Sequence, residues 1–217
     1  MLVRVFSLSM AIFISIQLWG QTSVTELKAV RFNGGFIFGP TLSQIHGDGA
    51  GGFDKFGFHF GGIVKMTNQN KNGIYLSIVY NQKGSKEPAN PQQQDFSSHR
   101  YRLTYIDVPI VYSLHTTYAD FQFGIQPSIL ISKKESINKL GYTDFLQPEI
   151  HPFDFGVVIG AQKNYGRRSS VFTRITQSII PISPVPELNL PVGVRWDNKM
   201  YNMTLELGLI VLILPHG

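Results

Sequence analysis

Five segments of the chain alternate large apolar residues with small or polar ones at a period of two, the mark of a strand with two unlike faces. Over 56–66, Phe56, Phe58, Phe60, Gly62, Val64 and Met66 share one side, and Gly57, His59, Gly61, Ile63 and Lys65 share the other. Over 74–81, Ile74, Leu76, Ile78 and Tyr80 oppose Tyr75, Ser77, Val79 and Asn81. The same pattern runs over 121–131 (Phe121, Phe123, Ile125, Ile129 and Ile131 outside Gln122, Gly124, Gln126, Ser128 and Leu130) and over 153–162. It recurs over 203–213, where Met203, Leu205, Leu207, Leu209, Val211 and Ile213 oppose Thr204, Glu206, Gly208, Ile210 and Leu212. Three less regular strands are predicted at about 31–43, 101–114 and 169–179. Pro109 and Pro127 each remove a ladder donor and predict bulges or strand ends where they fall.

The predicted strands are joined by connections that alternate in length. Thr67–Gly73, His115–Asp120 and Asn164–Arg168 are short. Gln44–Lys55, Gly84–Arg100, Lys133–Pro152 and Ile180–Met200 are long, and polar or rich in Pro and Gly. Short turns at one end and long loops at the other are the pattern of a bacterial outer-membrane barrel. A soluble sandwich has no reason to sort its loops by parity. The fold class expected is therefore all-β, an eight-stranded antiparallel up-and-down transmembrane β-barrel.

In lipid every backbone donor and acceptor must be paired within the protein, so the sheet must close. The large apolar face is then expected outward and the Gly, Ser, Gln and charged face inward. The opposite assignment, a soluble eight-stranded ligand binder, leaves Gly57, Gly61, Gly124, Gly156, Gly160 and Gly208 as surface glycines without a packing reason.

The beginning of the chain bears on compartment. Met1–Arg4 is short and positive, Val5–Leu18 is mostly apolar, and Trp19-Gly20-Gln21 breaks into polar sequence. This is the layout of a secretory signal, shorter than the roughly 20 apolar residues of a spanning helix. The expected organisation is a signal peptide at 1–20 and one barrel domain at 21–217. Arg4 is the only charge in the leader, so the net charge falls from +5 to about +4 on its removal. No basic run exceeds two residues, which argues against a nucleic-acid partner. Cysteine is absent, which excludes disulfides and thiolate metal sites. Charged residues make up only 15%, against roughly 25% in soluble domains.

Short stretches carry a family resemblance. They are Gly39-Pro40-Thr41-Leu42-Ser43-Gln44-Ile45-His46-Gly47-Asp48-Gly49, preceded by Gly34-Gly35-Phe36, and Phe53-Asp54-Lys55-Phe56-Gly57. Tyr80-Asn81-Gln82-Lys83-Gly84-Ser85, Leu103-Thr104-Tyr105-Ile106-Asp107-Val108-Pro109, Ile131-Ser132-Lys133-Lys134-Glu135 and Phe153-Asp154-Phe155-Gly156 follow in order. In sequence and spacing the set resembles the PorT-like outer-membrane β-barrel family of Bacteroidetes-type bacteria, from about residue 32 to 212. The resemblance implies an eight-stranded barrel. The family takes its name from a member active in type IX protein secretion. The terminal Leu214-Pro215-His216-Gly217 departs from the final aromatic that many outer-membrane strands carry.

Four charges fall on the expected inward face: Asp107, Asp154, Arg174 and Glu206. A barrel of eight strands is only wide enough for side chains to fill it, and charges buried there must pair. The expectation is a structural ion-pair cluster centred on Arg174. Gly47-Asp48-Gly49-Ala50-Gly51-Gly52 matches G-x-G-x-x-G, but a strand rather than a helix is predicted to follow, so it reads as a hairpin loop. The histidines at 46, 59, 99, 115, 151 and 216 show no metal-ligand spacing, and neither cofactor nor metal is expected. Tyrosines near strand ends are expected in interface girdles, apart from Tyr75 and Tyr105, which face inward. Pro184, Pro186 and Pro191 stiffen the last long loop beside Trp196, the candidate partner site.

The expected function is that of a non-enzymatic membrane component, held in outer-membrane lipid with its N-terminus in the periplasm. Its expected partners are envelope or secretion proteins. Two alternatives stand beside it. One is a small-ligand binder or transporter with an open lumen. The other is a barrel enzyme using His151, Asp154 and Ser132 or Ser183.

Overall fold

The computed structural model describes residues 30–46, 52–87, 98–137, 141–144, 150–183 and 199–213. The signal segment and the loop carrying Pro184, Pro186, Pro191 and Trp196 lie outside the described residues. The strands are β1 (Arg31–His46), β2 (Lys55–Thr67), β3 (Gly73–Glu87), β4 (His99–Asp107), β5 (Ile110–Leu114), β6 (Asp120–Ile137), β7 (Thr143–Asp144), β8 (Phe153–Tyr165), β9 (Ser169–Ser178) and β10 (Tyr201–Ile213). Every pairing is antiparallel, the order runs β1-β2-β3-(β4, β5)-β6-β8-β9-β10, and β10 pairs with β1, so the sheet closes into a ring. Ile37, for example, faces Ile210 on one side and Gly61 on the other.

Ten elements make eight traverses, because β7 is a two-residue addition to β6 and β4 with β5 is one strand interrupted at Val108-Pro109. The register against β3 and β6 is the same on both sides of that interruption. Pro109 lies within it, and its carbonyl still accepts from Ser77 N–H at 3.2 Å. Across the same break Val108 N–H donates to the carbonyl of Pro127 at 2.8 Å. Pro109 thus lacks its donor toward β3 and Pro127 toward the β4–β5 strand, and the strand continues through the break. Pro127 itself sits inside unbroken β6, which corrects the expectation of an irregularity there. The register shift is instead between Thr104 and Tyr105, opposite β6, where Ile131 is passed over.

The faces divide as lipid demands. Phe56, Phe58, Phe60, Ile78, Phe123, Ile129, Ile159 and Leu207 are exposed on the outside, while Ser77, Asn81, Gln122, Gln126, Asp154 and Thr204 are buried inside. Phe60 packs at a tilt against Tyr80 with ring centroids 5.1 Å apart, and Tyr112 against Phe123 at 5.2 Å. Tyr75 and Tyr105 point inward, at 1% and 0% exposure.

The interior is layered. Ile37, Ile63, Tyr75, Val79, Val111, Phe172 and Ile210 form one apolar cluster, and Ile45, Leu103, Tyr105, Ile150 and Ile182 a second toward the long loops. On β1, Thr41 and Ser43 lie between Ile37 and Ile45; on β4 and β5, Asp107 lies between Tyr105 and Val111. A polar belt therefore separates the two clusters. At Gly208 an added Cβ would fall 2.5 Å from the Phe172 ring and 2.8 Å from His59 Nε2. That glycine makes the room in which Phe172 and His59 pack, with ring centroids 5.7 Å apart.

Candidate functional site in the barrel interior

Asp107 is the hub of the polar belt. It sits at the end of β4, just before the proline break, on the inward parity of its strand. Its Oδ1 accepts from Lys83 Nζ at 2.9 Å, and its Oδ2 from Asn81 Nδ2 at 2.9 Å and Gln126 Nε2 at 3.0 Å. Asn81 Nδ2 also donates to Glu206 Oε1 at 2.7 Å, so one amide links two carboxylates. Asn81 Oδ1 in turn accepts from Thr41 Oγ1 at 3.0 Å. Thr41 has one proton to give and gives it to Asn81. The contact of Thr41 Oγ1 with His59 Nδ1 at 3.0 Å therefore needs the hydrogen on Nδ1. His59 Nε2 is buried without a hydrogen-bond partner.

Two further groups complete the interior. Asn202 Nδ2 donates to Asp154 Oδ2 at 2.8 Å and lies 3.2 Å from Tyr105 OH. Arg174 Nε donates to Gln122 Oε1 at 2.8 Å, Gln122 Nε2 to Gln162 Oε1 at 2.6 Å, and Gln162 Nε2 to Tyr75 OH at 3.0 Å. The row continues through Asn164, whose Nδ2 donates to Asp120 Oδ2 at 2.7 Å, to His115 Nδ1, 2.6 Å from Asp120 Oδ1. It ends at the short-turn mouth of the barrel.

Asp107, Asp154, Arg174 and Glu206 are all inside the barrel, at 1%, 4%, 2% and 5% exposure. They do not form one cluster around Arg174. Asp107 and Glu206 are joined through Asn81, and Asp154 is held separately by Asn202. Arg174 and Glu206 face each other in register on β9 and β10, yet Arg174 extends along the Phe172 ring, 4.4 Å from its centroid, to reach Gln122. Glu206 turns to Asn81 instead. A buried ion pair among the described residues is Lys83–Asp107, with Lys83 Nζ also 4.8 Å from the centre of the Tyr105 ring.

Lys83 and Asn81 are the partners that the sequence reading lacks. Lys83 shares parity with Tyr75, Ser77, Val79 and Asn81. Extending β3 past Gln82 on that parity alone would have placed it inside.

This arrangement suits the holding of charge rather than its transfer. The carboxylates are met by amides and one ammonium, and an amide chain offers no proton relay. Of the residues of the enzyme alternative, His151 has an exposed side chain and a backbone N–H that donates to Ile182 O at 2.7 Å, and Asp154 accepts from Asn202 at 2.8 Å. Among the described residues no three His, Cys, Asp or Glu side chains converge as a metal site would need. Of the G-x-G-x-x-G stretch only Gly52 is described, and strand β2 follows it.

No curated protein matches the chain. Among solved structures it is similar to Neisserial surface protein A, at 12% identity and a TM-score of 0.50, over 84% of this chain and 98% of that one. It is also similar to Ail, the attachment invasion locus protein of Yersinia pestis, in its complex with the heparin analogue sucrose octasulfate: 12% identity, TM-score 0.48, 84% and 99% of the two chains. At such identity the likeness to the Neisserial protein bears on the fold alone. The sequence family described as outer membrane protein beta-barrel domain matches residues 20–183. With its ring closed and its apolar face turned outward, the chain belongs to the outer membrane protein beta-barrel domain family.

Proposed function

We propose that this chain is a non-enzymatic structural or accessory component of the outer membrane. In this reading residues 1–20 are its export signal, residues 21–217 its barrel domain, and its N-terminus lies in the periplasm. The observation that carries the proposal is the filled interior. Arg174, Tyr75, Tyr105, Lys83 and Phe172 are the largest fully buried side chains among the described residues, each 2% exposed or less. They occupy the space that a general pore would need. With catalysis and bulk conduction disfavoured, function falls to the long loops and to lateral contacts, since loops on a rigid scaffold carry recognition. The Pro184, Pro186, Pro191 and Trp196 loop is the proposed contact with an envelope partner.

The resemblance to the PorT-like group supports protein secretion as the process served. The test is an in-frame deletion, read by the profile of exported proteins and by sensitivity to detergent. A changed export profile that the full-length gene restores supports the secretion role. Detergent sensitivity with unchanged export moves the role to envelope structure. A deletion strain that matches its parent in both readouts would overturn the proposal.

A further inference from the structure

We infer that the short-turn mouth of the barrel is a binding site for a small, soluble, phosphate-bearing anion. A cavity of about 540 Å³ opens there, within the range of roughly 300–1,000 Å³ typical of small-molecule sites. Lys65, Lys71 and Arg167 line it, with His115, Thr67 and the single acid Asp120. Asp120 is already engaged on both oxygens, by His115 Nδ1 at 2.6 Å and Asn164 Nδ2 at 2.7 Å. Three cations therefore share one concave mouth without a free carboxylate in its described lining. Like charges so placed repel, and a multivalent anion relieves that repulsion.

Local structure holds these cations in place. Lys65 and Thr67 occupy the inward parity of β2, so they face the lumen mouth rather than surrounding lipid. The Lys65 ammonium lies 5.1 Å from the centre of the buried Tyr75 ring. Lys71 has φ of 63°, a left-handed conformation that a non-glycine residue seldom takes. Two turn bonds enforce it, Asn68 N to Asn72 O at 2.9 Å and Lys71 N to Asn68 O at 3.0 Å. Arg167 follows Gly166, whose φ of 71° forms the turn and beside which the space is open. The mouth thus offers a guanidinium fork and two ammonium groups, the donor set that matches phosphate oxygens. Because Lys65 faces inward from β2, and Lys71 and Arg167 sit on turns at the rim of the same cavity, a soluble phosphate fits the geometry better than the headgroup of a lipid packed outside the wall.

The test is calorimetric titration of the full barrel, folded in phosphocholine bicelles at low ionic strength, with inorganic pyrophosphate. The expected result is saturable binding of one pyrophosphate per barrel, weakened on the order of tenfold or more in Lys65→Gln/Arg167→Gln. The outward-facing Lys163→Gln variant, outside the cavity lining, should bind as the parent does. Heat-dependent gel mobility verifies that each variant is folded. If the double variant does not fold, Lys71→Gln, on its solvent-side turn, must weaken binding by itself. No saturable binding at millimolar pyrophosphate, or equal binding by parent and folded variants, overturns the site. Loss of pyrophosphate binding when phosphatidylglycerol is added to the bicelles, beyond what the same charge of added salt causes, assigns the cations to lipid headgroups and overturns the soluble-anion reading.

Discussion

Lys83 and Asp107 meet inside the barrel at 2.9 Å, with 2% and 1% of their side chains exposed. They come from neighbouring strands but not from facing positions, since Asp107 pairs in register with Val79 and Lys83 with Leu103. The lysine thus reaches along the barrel axis, beneath the Tyr105 ring, to find its counter-charge. Removing one member of such a pair leaves a buried charge uncompensated, at a cost of about 3–5 kcal/mol. Asp107→Asn should therefore lower the unfolding free energy in denaturant titrations by about that much. Lys83→Met in the same background should recover most of it, because the amide oxygen introduced by Asp107→Asn can still accept from Asn81 and Gln126. A double variant as unstable as Asp107→Asn alone would show that the pair's charge is not what Asp107 contributes.

Gly208 makes a second prediction. Its Cβ would collide with Phe172 and His59, so Gly208→Ala overpacks the interior and should cost about 1–3 kcal/mol. Phe172→Leu should relieve part of that loss in the Gly208→Ala background, although alone it destabilises. Gly34, on the outward face with no atom within 4 Å of an added Cβ, should accept alanine without loss. Unfolding midpoints of the parent and the four variants in one lipid system separate these outcomes.

Leu209 tests the outer face. It lies midway along β10, exposed at 41%, with its register partners Phe38 and Val171 on the same side of the wall. An arginine there would sit in hydrocarbon and should cost about 2–4 kcal/mol, while Tyr118→Arg, in a short turn, should cost about 0–1 kcal/mol. Equal effects at the two positions in bilayer-folded protein would mean that Leu209 does not face lipid.

The eight traverses and the assignment of faces were legible because lipid and a narrow lumen impose opposite demands on alternate residues. Phe56, Phe58 and Phe60 could only be outside if Gly57 and Gly61 were inside. What the sequence obscured lies where the strands leave the apolar zone. β3 runs to Glu87, yet Gln82-Lys83-Gly84-Ser85-Lys86-Glu87 has no apolar alternation, because this part of the strand is polar on both sides and is held by backbone pairing to β4. Alternation alone therefore stops short of Lys83 and misses the buried pair. The four charges expected inside are all inside, but period and parity place a residue only on a face. Whether Arg174 reaches Glu206 across the ladder or Gln122 along the wall depends on rotamers set by Phe172, which no linear pattern encodes.

The central claim is that the ring from β1 to β10 is closed in the outer membrane with its apolar face toward lipid. The most direct measurement is to fractionate the cells and run the protein on a denaturing gel with and without boiling. A closed, detergent-resistant barrel predicts recovery in the outer-membrane fraction and a shift in mobility on boiling. A soluble periplasmic protein with no shift would contradict the account and put the apolar face on the inside.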